Sequence, residues 1–493
     1  MTVLAHHTDT VTRDALAVLQ PGFEGTTAPA WLLRRVSEGL TAVGLFGRNI
    51  ASPEQLAALT ARLRAERDEV LVAIDEEGGD VTRLEVRGGS SFPGNLALGA
   101  VDDTDLTRAV AHELGRRLAE CGVNLNWAPS ADVNSNPDNP VIGVRSFGAD
   151  THLAARHTAA YVEGLQAAGV AACTKHFPGH GDTNVDSHHA LPRIDVDLDT
   201  LQARELVPFK AAIEAGTRAV MSAHILVPAL DPTRPATLSP QILTGLLRKE
   251  LGYDGLIVTD GMEMHAIAGT YGIERGSVLA IAAGADAICV GGGLADEATV
   301  LRLRDALVAA VREGTLPEER LADAAARVRA LAEWTRGARP DARPEGSRAS
   351  GIGLTAARRA LLLTGSAAPL TAPYVATLAP VANIAVGDET PWGVAAELAA
   401  LLPGTASGVY PQGAGAGDVL AAAGDRTVVA VVRDAHRHPW MTEALDALVA
   451  ARPDTVVVEM GLPRAEPRGA LHIATHGASR VCGRAAAEVI AGV

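Results

Sequence analysis

Residues 175–188 hold more groups capable of chemistry than any other stretch of this chain. One lysine, three histidines and two aspartates fall within fourteen residues, separated by one proline and two glycines. Glycine and proline favour a shaped loop, and buried charges would be left unpaired, so we expect an exposed loop rather than a buried element. The preceding apolar run, 170–174, is typical of a buried strand. Enzymes of the α/β class place their chemistry on loops that follow such strands.

Asp186 and His188 have a spacing that suits acid/base chemistry. A carboxylate two residues from an imidazole can orient the ring and raise its basicity, which makes histidine a general acid/base near neutral pH. The same segment permits a second hypothesis, a metal site. Its ligands would be His180, Asp182, Asp186, His188 and His189. A third interpretation is that these histidines are ordinary turn residues.

Asp260 is the next candidate for chemistry. It follows the apolar run 256–259 and precedes a glycine, as expected of a carboxylate nucleophile at the end of a buried strand. A helix N-cap would produce a similar pattern. The position of Asp260 among other polar groups at strand ends favours the nucleophile.

Polar side chains stand at the ends of five predicted strands in succession. They are Asp75, Asn126, Lys175 with His176, His224 and Asp260. Because barrel active sites gather at the carboxyl ends of strands, we expect these groups to converge in space. The acids at 75–77 and Arg83 are suited to binding sugar hydroxyls, or they form a solvated loop. Arg145 either pairs with an acid or binds a ligand through its planar guanidinium.

Alternating strands and helices must position these groups. Apolar runs, each followed by a helical pattern, recur over about 330 residues and predict a parallel sheet. The runs are 42–46, 70–74, 123–127, 170–174, 219–222, 256–259 and 287–290, with 16–19 as a further strand. Helical spacing marks 53–67, 104–121, 151–168 and 199–215. Eight such repeats predict an N-terminal (β/α)8 barrel of the TIM type.

A second, smaller domain follows the barrel. Residues 336–352 lack an apolar period and are typical of a linker, so we predict a catalytic domain at 1–335 and a C-terminal α/β sandwich domain at 353–493. Its predicted strands are 360–363, 375–378, 384–386, 427–432 and 455–458, and its predicted helices are near 391–402, 441–451 and 483–491.

Composition narrows the function classes. The 43 Lys and Arg against 58 Asp and Glu give a formal charge of −15, which argues against binding to nucleic acid or to an anionic membrane. Aromatic residues make up only 3%, so a long polysaccharide groove is not expected, whereas a site for one or two sugar rings is compatible with this composition. The four cysteines have no metal-site spacing and are expected as buried free thiols. With neither a signal-peptide pattern nor a run of about 20 apolar residues, we expect a cytoplasmic protein.

Four blocks of this sequence resemble the β-N-acetylglucosaminidase branch of glycoside hydrolase family 3, in its bacterial two-domain form. The blocks are 74–79, 141–148, 175–188 and 258–264, and they stand in the family's order. The C-terminal part is similar only in outline, including 475–480. The resemblance implies an enzyme that removes terminal β-linked N-acetylglucosamine (GlcNAc).

The resemblance also implies a role for each matching residue. Asp260 would be the nucleophile, His188 the general acid/base and Asp186 its partner, giving retention through a covalent intermediate. Residues that match the sugar-binding positions of the first subsite are Asp75, Arg83, Arg145, Lys175 and His176. This scheme requires no metal and no cofactor.

Two features depart from the family or from its usual chemistry. Asp80 stands where the family often has arginine. A histidine acid/base, when neutral, would not repel an anionic acceptor, and its imidazolium would attract one. Inorganic phosphate is therefore an alternative acceptor to water, which leaves a hydrolase and a phosphorylase both open.

The expected substrate is a small glycoside or oligosaccharide with a terminal non-reducing GlcNAc. Cell-wall recycling fragments, chitobiose and aryl glycosides fit this description, and neither nucleic acid nor a membrane is expected as a partner. A β-glucosidase of the same family is the nearest rival. A metal-dependent amidohydrolase and a non-catalytic glycan-binding protein are alternatives from other classes.

Overall fold

The computed structural model describes residues 2–185, 191–338, 351–381 and 389–493, with side chains from residue 10 onward. The chain forms two compact units, and neither is continuous in sequence. The first unit comprises Met1–Glu76, Thr107–Pro140 and Ala149–Arg343. The second comprises Glu77–Leu106, Val141–Gly148 and Pro344–Val493. The domain limits stated above remain a prediction.

The first unit is an α/β fold built on parallel strands. The strands are β1 (Leu19–Pro21), β2 (Ala42–Leu45), β3 (Leu71–Ile74), β4 (Leu125–Asn126), β5 (Ala171–Phe177), β6 (Ala219–Ser222), β7 (Leu256–Thr259) and β8 (Ile288–Val290). Strands β2 to β7 form one six-stranded sheet in chain order, while β1 and β8 pair with each other. A parallel bridge joins Val258 of β7 to Ala287, the residue before β8. The predicted parallel α/β architecture is confirmed.

Helices alternate with these strands, as the apolar spacing predicts. Their bounds are Thr2–Ala17, Ala30–Glu38, Pro53–Arg64, Thr104–Glu120, Thr151–Ala167, Leu198–Thr200, Leu206–Glu214, His265–Tyr271, Ile273–Ala283, Glu297–Arg312 and Glu318–Gly337. Short 3-10 helices cover Gly47–Asn49 and Ala236–Leu238, and π-helical turns cover Leu201–Glu205 and Gln241–Glu250. Several helices begin at a side-chain cap: Ser52, Asp150 and Asp296 each accept a hydrogen bond from the third residue of their helix.

Small and apolar side chains from the strands of the first unit form a buried core. One buried cluster includes Ala42, Ala73, Ala171, Ala219 and Ala287 together with larger residues such as Leu125 and Met221. Cys121, Cys173, Cys289 and Cys482 are all buried free thiols, as expected.

Two predictions about the strands differ from the structure in their bounds. The further strand predicted near 16–19 exists, but it begins only at Leu19, because the helix before it continues to Ala17. Strand β5 extends past the predicted end at residue 174 to Phe177, and residues 175–181 are buried rather than an exposed loop. The expectation failed because it assumed unpaired charges, whereas Lys175 and His176 both have carboxylate partners.

The second unit contains its own six-stranded sheet. Its strands are β9 (Leu362–Gly365), β10 (Tyr374–Leu378), β11 (Ala406–Tyr410), β12 (Val428–Val432), β13 (Val456–Glu459) and β14 (Leu471–Ala474), in the order β11-β10-β12-β13-β14-β9. All neighbours are parallel except β9, which is antiparallel to β14. Strands β11 and β14 were not predicted, and the predicted strand at 384–386 lies outside the described residues.

Helices cover both faces of this sheet. They are Asn95–Val101, Ile352–Arg359, Ala395–Leu401, Ala416–Ala423, Pro439–Ala451 and Arg480–Ala491, with 3-10 turns at Gly143–Arg145 and Ala435–Arg437. Alternate residues of β12 belong to different buried clusters. Val429 and Val431 pack into one cluster, and Val428 and Ala430 pack into the other.

The segment 77–106 is tied into the second unit by residues far along the chain. Asp80 forms an ion pair with Arg433 and accepts a hydrogen bond from the Ala478 amide at 2.7 Å. The Val481 amide donates to the Ser90 carbonyl at 3.3 Å. These contacts explain why an early segment belongs to a unit formed largely of later residues. No helix in the described part of the chain is long and apolar enough to cross a membrane.

Candidate active site

Asp75 and Lys175 form an ion pair between the carboxyl ends of two strands. Asp75 follows β3, and Lys175 lies in β5 with only 2% of its side chain exposed. A buried ammonium requires a partner, because an unpaired charge in the interior is very costly. Asp75 provides that partner, and its own side chain remains 23% exposed, so the pair is accessible from the Asp75 side.

Asp260 lies in the same region as this pair. The carboxyl group is half-buried directly after β7, and its Oδ1 accepts a hydrogen bond from the Gly261 amide at 2.8 Å. Burial raises the pKa of the Cys173 thiol, and the charges of Lys175, Asp75 and Asp260 all act on it. The charges of three predicted site residues therefore act on one buried thiol. Convergence of strand ends is seen directly for Asp75 and Lys175, which are in contact, and remains a prediction for Asp260.

The turn that carries Asp260 is also tied to β8. Oε1 of Glu263 accepts hydrogen bonds from the amides of Gly291, at 2.9 Å, and Gly292. The Met262 amide donates to the Cys289 carbonyl at 3.0 Å. The glycine-rich segment after β8 therefore organises the Asp260 turn, a role that the sequence analysis missed.

His176 is held by Asp132, a residue that the sequence analysis did not single out. Oδ2 of Asp132 lies 2.7 Å from His176 Nδ1, and Oδ1 accepts from the His180 amide at 2.7 Å. Ser130 donates to the same carboxylate at 2.9 Å. Burial opposes ionisation of Asp132, but the charge and hydrogen bond of His176 outweigh it and hold the Asp132 pKa well below its usual range. In neutral His176 the proton then lies on Nδ1, and Nε2 is a hydrogen-bond acceptor.

His180 is a buried imidazole of another kind. Its side chain is almost fully buried, and neither ring nitrogen has a hydrogen-bond partner among the described residues. The ring packs edge-on against His176, with 5.9 Å between centroids. Burial, followed by the charge of His176, lowers the pKa of His180 to about 4. The imidazole is therefore neutral at physiological pH.

A second carboxylate lies beneath the glycines of this segment. Glu205 is 1% exposed, and a Cβ on Gly179 would come within 2.8 Å of its side chain. Burial raises the pKa of Glu205 to about 7, against the lowering effect of Arg204. Arg204 bonds both Glu205, at 2.6 Å, and Asp182, at 2.5 Å. The segment after β5 is thus fastened to the next helical turn.

Two predicted sugar-binding residues lie in the second unit. Arg145 forms a buried bidentate pair with Glu77, with nitrogen–oxygen distances of 2.6 and 3.0 Å. Its carbonyl accepts from Asn95 at 2.7 Å. Of the two interpretations given above, pairing with an acid is therefore realised. Arg83 is half-buried in the same unit. The sugar-binding roles of both residues remain predictions.

The predicted acid/base pair, Asp186 and His188, lies outside the described residues, as does His189. Across the part of the chain with described side chains, no group of three or more His, Cys, Asp or Glu residues could hold a metal ion.

Similarity to known proteins identifies the family of this chain. The model of the glycosyl hydrolase family 3 N terminal domain matches residues 30–331. The chain belongs to glycosyl hydrolase family 3. The family resemblance found in the sequence is thereby confirmed.

Relatives within family 3 extend the similarity over the whole chain. A solved family 3 β-N-acetylglucosaminidase from Paenibacillus sp. str. FPU-7 is 35% identical and superimposes with a TM-score of 0.86, over 98% of this chain and 96% of that one. Beta-hexosaminidase A of Pseudoalteromonas piscicida is 37% identical over 332 residues, which are 62% of this chain and 55% of that protein. The chain thus spans about half the length of that relative. Beta-hexosaminidase of Chromobacterium violaceum is 38% identical over 253 residues, 50% of this chain and 70% of that protein.

Proposed function

We propose that this protein is a retaining exo-β-N-acetylglucosaminidase that acts on small glycosides with a terminal non-reducing GlcNAc. The observation that carries the proposal is the position of Asp260, half-buried directly after β7, in the same sheet as the strands β3 and β5 that position the Asp75–Lys175 pair. Family membership and the names of the relatives supply the sugar. The proposal includes closure of the eight strands into a (β/α)8 barrel, which would bring these strand ends into one ring.

In the proposed reaction, Asp260 attacks the anomeric carbon while the glycosidic bond to the leaving oxygen breaks. His188, oriented by Asp186, protonates that oxygen. In the second step His188 takes a proton from water, which attacks the anomeric carbon from the face that the leaving group had occupied, opposite Asp260, so that the bond to Asp260 breaks and the configuration is retained. Both members of this dyad are assigned from the sequence resemblance alone.

The ground-state contacts of the sugar follow from the groups around Asp260. The carboxylate of Asp75 accepts hydrogen bonds from sugar hydroxyls, and its ion pair with Lys175 holds it in place. In neutral His176, Asp132 holds the ring proton on Nδ1, so Nε2 accepts a hydrogen bond from a further sugar hydroxyl. Arg83 and Arg145 are proposed as additional contacts. A role in cell-wall recycling and a cytoplasmic location remain predictions.

The nucleophile assignment is tested by the variant Asp260→Ala with a nitrophenyl β-N-acetylglucosaminide. Loss of a covalent nucleophile should lower kcat by a factor of at least about 10³. The matched control is Asp254→Ala, an exposed acid ahead of the same strand, which should leave kcat unchanged. A fully active Asp260→Ala protein would contradict the proposal.

The acceptor is tested by product analysis with and without inorganic phosphate. Free GlcNAc in both conditions supports a hydrolase, with the β-anomer formed first if the configuration is retained. GlcNAc 1-phosphate, formed at a higher rate when phosphate is added, would replace the hydrolase by a phosphorylase. Binding of GlcNAc without turnover of any glycoside would favour a glycan-binding protein instead.

A further inference from the structure

His224 is a fully buried histidine next to the candidate nucleophile, and the reaction scheme above gives it no role. It follows β6, with 0% of the residue exposed. Its Nε2 atom lies 3.0 Å from the Gly261 carbonyl oxygen, and its Nδ1 atom lies 2.8 Å from the Thr237 hydroxyl. Both ring nitrogens are therefore within hydrogen-bond distance of fixed partners.

The carbonyl partner determines where His224 carries a proton. A carbonyl oxygen only accepts hydrogen bonds, so Nε2 must carry a proton to bond Gly261. The Nδ1 atom faces Thr237 Oγ1, which also lies 2.9 Å from the Ala223 carbonyl oxygen and 2.9 Å from the Ser222 hydroxyl. His224 is thus held by Thr237 on one side and bonded to Gly261 through its Nε2 proton on the other.

Gly261 is the residue through which this chain of bonds reaches Asp260. The Gly261 amide donates to Asp260 Oδ1 at 2.8 Å, and its carbonyl also accepts from the Met264 amide at 3.0 Å. The Asp260 amide donates to the Ser222 carbonyl at 3.2 Å. A shift of the Gly261 backbone would therefore move the carboxylate oxygen that it orients.

We propose that His224 is a positioning residue that holds the turn after β7, and with it the Asp260 carboxylate, through an imidazole protonated on Nε2. The catalytic part of this inference rests on the proposed function, whereas the hydrogen-bonded clamp does not. His224 acts through Gly261, so its loss should reduce the rate of the chemical step more than the binding of the sugar.

Two substitutions separate the bond to Gly261 from the mere presence of a polar group. In His224→Gln the amide nitrogen reaches about as far as Nε2 and can still donate to Gly261, whereas in His224→Asn it reaches only the Nδ1 position. We expect His224→Asn to lower kcat about 100-fold for a nitrophenyl β-N-acetylglucosaminide, since small misplacements of a reacting group cost this much. His224→Gln should recover at least about tenfold of that loss. The inhibition constant of GlcNAc should stay within about threefold of the wild-type value in both variants.

Hydrogen–deuterium exchange tests the clamp without any turnover. Amides in the peptide 256–264 should exchange faster in His224→Asn than in His224→Gln, while a peptide covering β5 stays unchanged. If His224→Asn does not fold, Thr237→Val removes only the hydroxyl and should give the same direction of change with a smaller kcat loss, about fivefold.

The outcomes distinguish failure of the positioning role of His224 from failure of the proposed function. Equal kcat in His224→Asn and the wild-type protein, or equal exchange in both, would overturn the positioning role. If the wild-type protein turns over no GlcNAc glycoside, the proposed function fails, and the exchange comparison still decides whether His224 clamps the turn.

Discussion

Replacing Asp132 with asparagine should weaken sugar binding, although Asp132 itself is fully buried and is not assigned to the sugar. Asparagine keeps the size of the side chain, and its oxygen can still accept from the His180 amide, which lies 2.7 Å from Asp132 Oδ1. Its NH2 group would then face His176 Nδ1, where the carboxylate now accepts at 2.7 Å. Two donors cannot bond each other, so His176 should move its proton to Nε2.

The size of the effect follows from the hydrogen bond that this change removes. With Nε2 protonated, His176 can only donate to a sugar hydroxyl, so the proton of that hydroxyl loses its acceptor, and a polar group left unpaired at a buried site costs about 1–3 kcal/mol. At about 1.4 kcal/mol per tenfold, the inhibition constant of GlcNAc should rise about 5- to 150-fold. Competitive inhibition of nitrophenyl glycoside hydrolysis measures it.

The control for this prediction is Asp182→Asn, because Asp182 lies in the same segment and is also paired with a cation. Its side chain is 31% exposed, and exposed ion pairs contribute only about 0.2–1 kcal/mol. The inhibition constant should therefore change less than about fivefold. An Asp132→Asn protein that binds GlcNAc within twofold of the wild-type value would refute the reasoning about the tautomer.

Three further predictions concern neighbouring parts of the site. Because the pKa of Glu205 is raised to about 7, its folded form holds a proton that the unfolded form releases near pH 4.5, so thermal stability should fall as pH rises from about 5 to 8 and should do so less in Glu205→Gln. Glu263→Ala removes the acceptor for two glycine amides behind the Asp260 turn and should lower kcat about 10- to 100-fold. Gly181→Ala would push a methyl group into the Val133 carbonyl oxygen and should destabilise the protein by about 3 kcal/mol or more.

Each of these predictions has a control. A pH profile of the melting temperature that is the same in Glu205→Gln and the wild-type protein would contradict the first. Glu263→Gln keeps the accepting oxygen and should retain most of the activity, so equal losses in the two variants would contradict the second. Gly417→Ala, on an exposed helix with open space around it, should be neutral or slightly stabilising. Gly181→Ala should not resemble it in thermal melting.

The sequence was informative where a pattern is local. The strand β7 and the acid that follows it share one short segment, and the predicted bounds 256–259 agree with the structure. The same holds for β6 at 219–222. In both cases an apolar run ends at a polar residue, and the strand ends with it.

The segment 175–181 could not be predicted in the same way, because its burial depends on distant partners. Lys175 is paired with Asp75, 100 residues earlier, and His176 with Asp132, 44 residues earlier. Neither pairing can be recognised from the sequence, because no local motif links residues that far apart. Asp132 was missed for this reason, although its position shortly after β4 is a usable signal. The Glu77–Arg145 pair illustrates the same limit, since the sequence could not choose among the acids at 75–77.

The discontinuous second unit has a consequence for the order in which the protein is made. Asp80 leaves the ribosome roughly 350 residues before its partner Arg433 and roughly 400 before its partner Ala478. At about 5–20 residues per second, Asp80 waits on the order of 20–80 s for these two partners. A gene truncated within 336–352 would never supply those partners. The C-terminal region is therefore required for an early part of the chain to reach its native contacts, and cannot be regarded as a module added after the first unit.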